Sequence, residues 1–298
     1  MADQITLSED SFLENTKVVT QRTIIWENFK RHKIAVVSSF VFIFIAVACF
    51  AAPIAAPYKF DAINLSAIRM PPSIEHLMGT DDLGRDLLTR IMYGGRISIL
   101  IGIMSAIVGT FLGALIGSVS GYYGGKLDNV LMRFTDIAYS IPTLPLLIVL
   151  SSFSNSAVPM MVLIIGFLSW MPTARVVRGS VLSIKEKEYV EAARMIGAPD
   201  WVIILQHILP NIAGPIIVGA TLGVGNAIIT ESSLSFLGLG VQPPTPTWGN
   251  MLMDSQATMA SKPWLTIFPG MAILIIVLAV NFIGDGLHDA LDPTLRRR

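Results

Sequence analysis

The sequence predicts an all-α integral membrane protein with about six transmembrane helices. Three observations carry this. Of 298 residues, 53% are hydrophobic and only 14% charged, with a mean hydropathy of +0.64, a composition foreign to soluble domains. Uncharged runs recur at Ile34–Ala52, Ile97–Gly125, Ile137–Ala174, Ile208–Thr230 and Pro263–Gly284, each near or above the roughly 20 residues a helix needs to cross a bilayer. Lys and Arg also cluster in the segments that this arrangement places on one side. The formal net charge is zero, which gives no footing for a nucleic-acid partner. The single cysteine, Cys49, lies in an apolar run and reads as a packed, inert thiol. The four histidines are scattered, without HExxH or a Cys/His cluster, so neither a metal site nor a catalytic group is expected.

Taken in order, residues 1–33 are polar and end in Lys30-Arg31-His32-Lys33. They are expected to be a cytoplasmic segment whose basic end holds the start of the first span, 34–57, inside. The polar lead-in is too long and the apolar run exceeds the usual core of a cleaved signal peptide. Residues 58–96 are charged and punctuated by proline, and read as external. Within them lies Gly79-Thr80-Asp81-Asp82-Leu83-Gly84-Arg85-Asp86, followed by Leu87 to Arg90. Thr80 or Asp81 is expected to cap a helix there, with Leu83, Leu87 and Ile91 as its apolar stripe. Such a helix would lie on the membrane surface and brace the first span, or else meet an external protein.

Residues 97–298 form the core. In the second span Gly109, Gly113, Gly117 and Gly121 recur every four residues on one face, where another backbone can approach. Gly124-Gly125-Lys126 is no nucleotide loop, because Leu127 and Ser120 stand where Ser/Thr and the first glycine are needed. The run Ile137–Ala174 would be about 57 Å long as one helix, so it reads as two spans with a turn at Ser151–Pro159. Pro142 and Pro145 are expected to kink the first of them. Arg133, Asp136 and Glu231 all fall near predicted span ends, where a structural or interfacial role is expected. Ser232–Leu252 is too rich in Gly, Pro and Thr for a regular helix, and Trp248 and Trp264 suit a membrane interface. Fifteen of the 21 Lys and Arg fall in segments assigned to one side, which places both termini and residues 175–207 in the cytoplasm.

The most informative stretch is Tyr189–Asn211, YVEAARMIGAPDWVIILQHILPN, polar and helix-forming between two apolar spans. Glu191-Ala192-Ala193 favour a first short helix and Gly197 can end it at positive φ. Ala198-Pro199 then starts a second, whose stripe Val202, Leu205, Leu209 runs to Pro210. The result is an elbow presented as a docking surface. The spacing of Glu191-Ala192-Ala193, Gly197 and Leu209-Pro210 resembles the cytoplasmic "EAA" loop of ABC importer permeases. His207, where the generic pattern has Ile, is similar to the peptide branch. The Gly79–Arg90 box, the Ser232–Leu252 loop and the tail with Gly284-Asp285-Gly286 and Asp289–Pro293 also resemble the "C" permeases of dipeptide, oligopeptide and nickel importers.

That resemblance implies a type I importer permease, a five-helix core with one extra N-terminal helix, in the bacterial inner membrane. It implies a homologous "B" permease, two cytoplasmic ATPase subunits that hold ATP and Mg²⁺, an external binding protein, and no cofactor on this chain. Residues 175–207, and Glu191 and Gly197 above all, would couple to the ATPase. Peptides are the expected cargo and nickel or its chelate the alternative. A stand-alone secondary transporter would require internal repeats and charges at the membrane midplane. A membrane hydrolase would require paired acids or a nucleophile on spans. The sequence carries neither pattern, and the elbow is of importer rather than exporter type.

Overall fold

The computed structural model describes residues 21–153 and 157–291, and among these no named strand occurs. Lys17, Pro293 and Arg296–Arg298 lie outside the described residues. The helices are α1 (Gln21–Arg31), α2 (Lys33–Phe50), α3 (Leu87–Tyr123), α4 (Gly125–Ser140), α5 (Thr143–Ser152), α6 (Val158–Leu168), α7 (Trp170–Ile184), α8 (Glu188–Met195), α9 (Ala213–Phe236), α10 (Trp248–Ser255) and α11 (Trp264–Leu291). Four helical stretches are long and apolar enough to span: α2, α3, Asp200–Phe236 and α11. Counting α4 with α5, and α6 with α7, gives six.

α3 is the central post, packed by α2, α6, α7 and α9. It is 37 residues long and begins ten residues before the expected Ile97. The sequence reading stopped the span at its charges. In the structure Arg90, inside the helix, is buried against Asp81 and Asp254. The cap is neither Thr80 nor Asp81 but Asp86, whose carboxylate accepts from the Thr89 amide at 2.8 Å and from its hydroxyl at 2.7 Å.

The glycine stripe of α3 faces α7. A Cβ on Gly113 would sit 2.6 Å from Thr173 Cβ, and one on Gly121 would sit 2.8 Å from Val181 Cβ. Gly117 lies against Ala174 and Val177, and Gly109 against Ser169. Small residues here let two backbones meet, which is how helices associate where lipid supplies no hydrophobic drive. The tail glycines serve α11 alike: Gly284 abuts Leu222 and Gly286 abuts Ala35 and Phe29.

The run expected to be two simple spans is two broken ones. α4 and α5 meet at 81° across Ile141-Pro142, and α6 and α7 at 44° across Ser169. The first pair ends at Phe153 and the second begins after Ala157, with 154–156 outside the described residues. Pro142 ends α4 rather than kinking a continuous helix, because the residue before a proline avoids the α region; Ile141 is extended, with φ −77° and ψ 126°. Ser232–Phe236, expected to be irregular, completes α9, and Trp248–Leu252 opens α10 behind a Thr247/Asn250 capping box. Trp248 is not interfacial. It is fully buried with Cys49, Leu87, Ile91 and Met251, and its indole N–H donates to Ile91 O at 3.0 Å.

Candidate functional site

The elbow is built by two helices around one left-handed residue. Gly197 has φ +82° and closes α8, with Ala198 N donating to Ala193 O at 3.1 Å. Among the described residues nothing lies within 4 Å of where its Cβ would be, so glycine is demanded by the backbone and not by crowding. The second arm starts at Asp200 behind Pro199 and runs without interruption to Phe236. It passes through a π-turn over Ile203–Ile208, in which Leu209 N bonds Ile204 O, and a 3₁₀ turn at Leu209–Ile212. Pro210 brings no N–H to the ladder, and the wider turn before it absorbs that loss. Stretching this span back to Asp200 corrects the expected start at Ile208.

One face of the elbow is anchored. Val190, Ala193, Ile203 and Ile208 are buried with Tyr122, Val177 and Val181 of the spans. Each fully buried Val or Ile contributes about 1.5–3 kcal/mol. Polar ties add direction. Tyr122 Oη donates to Asp200 Oδ1 at 2.7 Å, and the Arg194 guanidinium stands 5.5 Å over the Tyr122 ring. Lys185 Nζ donates to Gly121 O at 3.1 Å. Arg178 forks onto Asp128 with two bonds of 2.6 Å, fixing α7 to α4 just before the elbow.

Among the described residues nothing covers the other face. Met195 and Ile196 are each 84% exposed and Trp201 62%, with Tyr189, Glu191, Ala192 and Leu205 also exposed. Leu209 is half-buried and Pro210 exposed. The elbow is thus anchored on one face and offers, on the other, an exposed apolar patch with the Glu191 carboxylate beside it.

The Gly79–Asp86 box is at the other end of α3 and is a clasp, not a surface helix. Thr80 bridges to Asp86 across a tight turn, with Gly79 at φ +82° and Gly84 at φ +70°. The Asp81 carboxylate accepts from Leu83 N and Arg85 N at 2.9 Å each and from Arg85 Nε at 2.7 Å. Asp82 pairs with Arg69, and Asp86 with His76 at 2.9 Å. Thr80 Oγ1 donates to Ala67 O, and Gly84 lies directly on Asn64. Nearby, burial pushes Asp254 above the usual aspartate range, opposed by Arg90 and Arg85. The clasp ties the segment between α2 and α3 to α3 and α10.

Glu231 is not at an interface. It is fully buried inside α9, accepting from Ser235 Oγ at 2.7 Å and Ser98 Oγ at 3.0 Å. Ser98 also accepts from Trp248 N at 3.3 Å, so one carboxyl joins α9, α3 and α10. The other two charges placed near span ends are both exposed, Arg133 and Asp136, and Asp136 bonds Arg175 at 2.7 Å. Sequence reasoning missed these pairings because partners such as Ser98 and Glu231, or Asp128 and Arg178, are far apart in the chain. The one available signal was an acid inside a span followed by Ser at one and four residues.

Comparison with known proteins agrees with this architecture. Residues 109–297 match the family described as binding-protein-dependent transport system inner membrane component. Residues 20–72 match the N-terminal transmembrane domain of oligopeptide transport permease C. The oligopeptide transport system permease protein OppC of Haemophilus influenzae is 42% identical over 90% of this chain and 88% of its own length. The dipeptide transport system permease protein DppC of Bacillus subtilis is 41% identical, over 91% and 85%. The glutathione transport system permease protein GsiD of Pectobacterium atrosepticum is 42% identical, over 91% and 90%. These relatives are permease subunits and not ATPases. The chain therefore belongs to the family of binding-protein-dependent transport system inner membrane components, as a multi-pass permease subunit of an ABC importer.

Proposed function

We propose that this chain forms half of the pathway of an ATP-driven importer of di- or oligopeptides. It pairs with a homologous "B" permease, two ATPase subunits that hold ATP and Mg²⁺, and an external binding protein, and carries no cofactor itself. Its termini and elbow face the cytoplasm of a bacterial inner membrane, in line with the bias of Lys and Arg toward that side. The peptide assignment is supported by relatives named for oligopeptide, dipeptide and glutathione transport.

The observation that carries the coupling role is the two-faced elbow, buried against α3 and α7 on one side and open at Met195, Ile196 and Trp201 on the other. Closure of the ATPase pair displaces α8. Gly197 holds the angle, and the uninterrupted helical stretch Asp200–Phe236 carries the displacement into the membrane. The pathway then exchanges between two states, which each ligand shifts only by its differential affinity for them.

The test is ATP hydrolysis by the complex reconstituted with its binding protein, titrated with short peptides and separately with Ni²⁺. Stimulation by peptides supports the reading. Stimulation by Ni²⁺ alone replaces the cargo, and solute movement by this chain without an ATPase refutes the importer.

A further inference from the structure

Both broken spans open onto the same space. The α4/α5 break at Ile141-Pro142 and the α6/α7 break at Ser169 border a cleft of about 340 Å³, whose third wall is α9. In a bilayer, non-helical backbone is tolerated only where protein buries it or where it lines a water-filled cavity. Ser169 and Thr143, at the two breaks, are exposed to this cleft. Across from them Asn226 is exposed within α9, and its side-chain amide bonds nothing among the described residues. Thr230, one turn on, also lines the wall and returns its hydroxyl to Asn226 O at 2.8 Å. An unbonded amide within an apolar, span-length helix fits a wet cavity and not lipid.

Among the described residues the lining contains no Asp, Glu, Lys, Arg, His or Cys. At its edge Tyr139 lies 4.6 Å under the Arg175 guanidinium, whose charge is answered by Asp136 at 2.7 Å. What remains is a set of hydroxyls and one amide, able both to donate and to accept. Such groups match the repeating N–H and C=O of a peptide main chain and read no side chain. They supply no ligand set for a divalent transition metal, which favours imidazole, thiolate or carboxylate. We propose that this cleft is the part of the translocation pathway contributed by this chain, and that it takes the main chain of a peptide in transit. The assignment rests on the peptide-importer reading above and names the surface that performs it.

The experiment uses the whole complex in proteoliposomes, with single cysteines at Asn226, Thr143 and Thr173 in the cleft and at Phe40 on the outer surface of α2. Cys49 is buried and stays in place; the unsubstituted chain sets the background. A charged methanethiosulfonate reagent should modify the three cleft positions at least about tenfold faster than Phe40→Cys, a difference of ~1.4 kcal/mol in access. Modification should stop uptake of tri-alanine, and tri-alanine with its binding protein should slow modification. Asn226→Leu should lower tri-alanine uptake, with Asn226→Gln retaining most of it. Cleft cysteines that stay unmodified through the ATP cycle, in a complex that takes up tri-alanine, overturn the cleft assignment and leave the peptide importer standing. Modification that blocks uptake of Ni²⁺, in a complex that ignores tri-alanine, overturns the peptide occupant and the reading beneath it.

Discussion

Gly197 is where the coupling account is most exposed to test. Its φ of +82° lies in the region that costs a side-chain-bearing residue about 1–2 kcal/mol, and a β-branched one more. No atom of the described residues lies within 4 Å of its Cβ position, so substitution adds backbone strain and no clash with them. A graded series follows. Asn tolerates the left-handed region, so Gly197→Asn should couple nearly as the parent does. Gly197→Ala should shift the elbow by the full ~1–2 kcal/mol, roughly five- to thirtyfold in the population holding the native angle. Gly197→Val should be worse still. The assay is peptide uptake per ATP hydrolysed in the reconstituted complex, with assembly checked by co-purification. Uptake per ATP should fall in the order Gly, Asn, Ala, Val while basal hydrolysis persists. Normal coupling by Gly197→Val in an assembled complex would refute the reasoning. Equal damage from Asn and Val would show that side-chain bulk at the interface matters and the backbone angle does not.

Other outcomes follow from the packing and the charges. Gly117→Leu should drive α3 from α7, since even a Cβ there would stand 2.9 Å from Val177 Cβ; a cost of about 1–3 kcal/mol or more should show as a lower melting temperature in detergent. Glu231→Ala should strip the hydroxyls of Ser98 and Ser235 of their acceptor and leave a void, costing about 2–4 kcal/mol, with Glu231→Gln milder, both read by thermal unfolding. Asp254 titrates above the ordinary aspartate range because it is buried. Its native form holds a proton more tightly than its unfolded form, so the stability it contributes is present at low pH and is lost as pH rises through its raised value. Melting temperatures of the parent and of Asp254→Asn, compared across that window, should differ in slope; parallel curves would remove Asp254 from the pH response.

What the sequence made legible was what local chemistry dictates. The apolar runs placed six spans because a bilayer demands length and lack of charge. The Gly197 bend was visible because few residues other than glycine take positive φ cheaply. The four-residue glycine period marked the α3/α7 contact because a helix brings such positions onto one face. Charge misled at Arg90, since the residues that neutralise it come partly from a loop and partly from α10. It misled again at Glu231, whose partner Ser98 is 133 positions away. Pro142 was seen, but not that the chain would turn by 81° there, because that angle is set by what packs on either side. The cleft was illegible for the same reason, as its walls come from α4, α5, α6, α7 and α9.

The most direct measurement is site-specific crosslinking in the assembled complex. A photoactivatable residue replaces Met195, Ile196 or Trp201 on the open face of the elbow, and Ile74, 98% exposed in the segment between α2 and α3, as control. The account predicts adducts with an ATPase subunit from the three elbow positions and none from Ile74. An elbow that yields no ATPase adduct, or a complex in which Ile74 yields one, would contradict it.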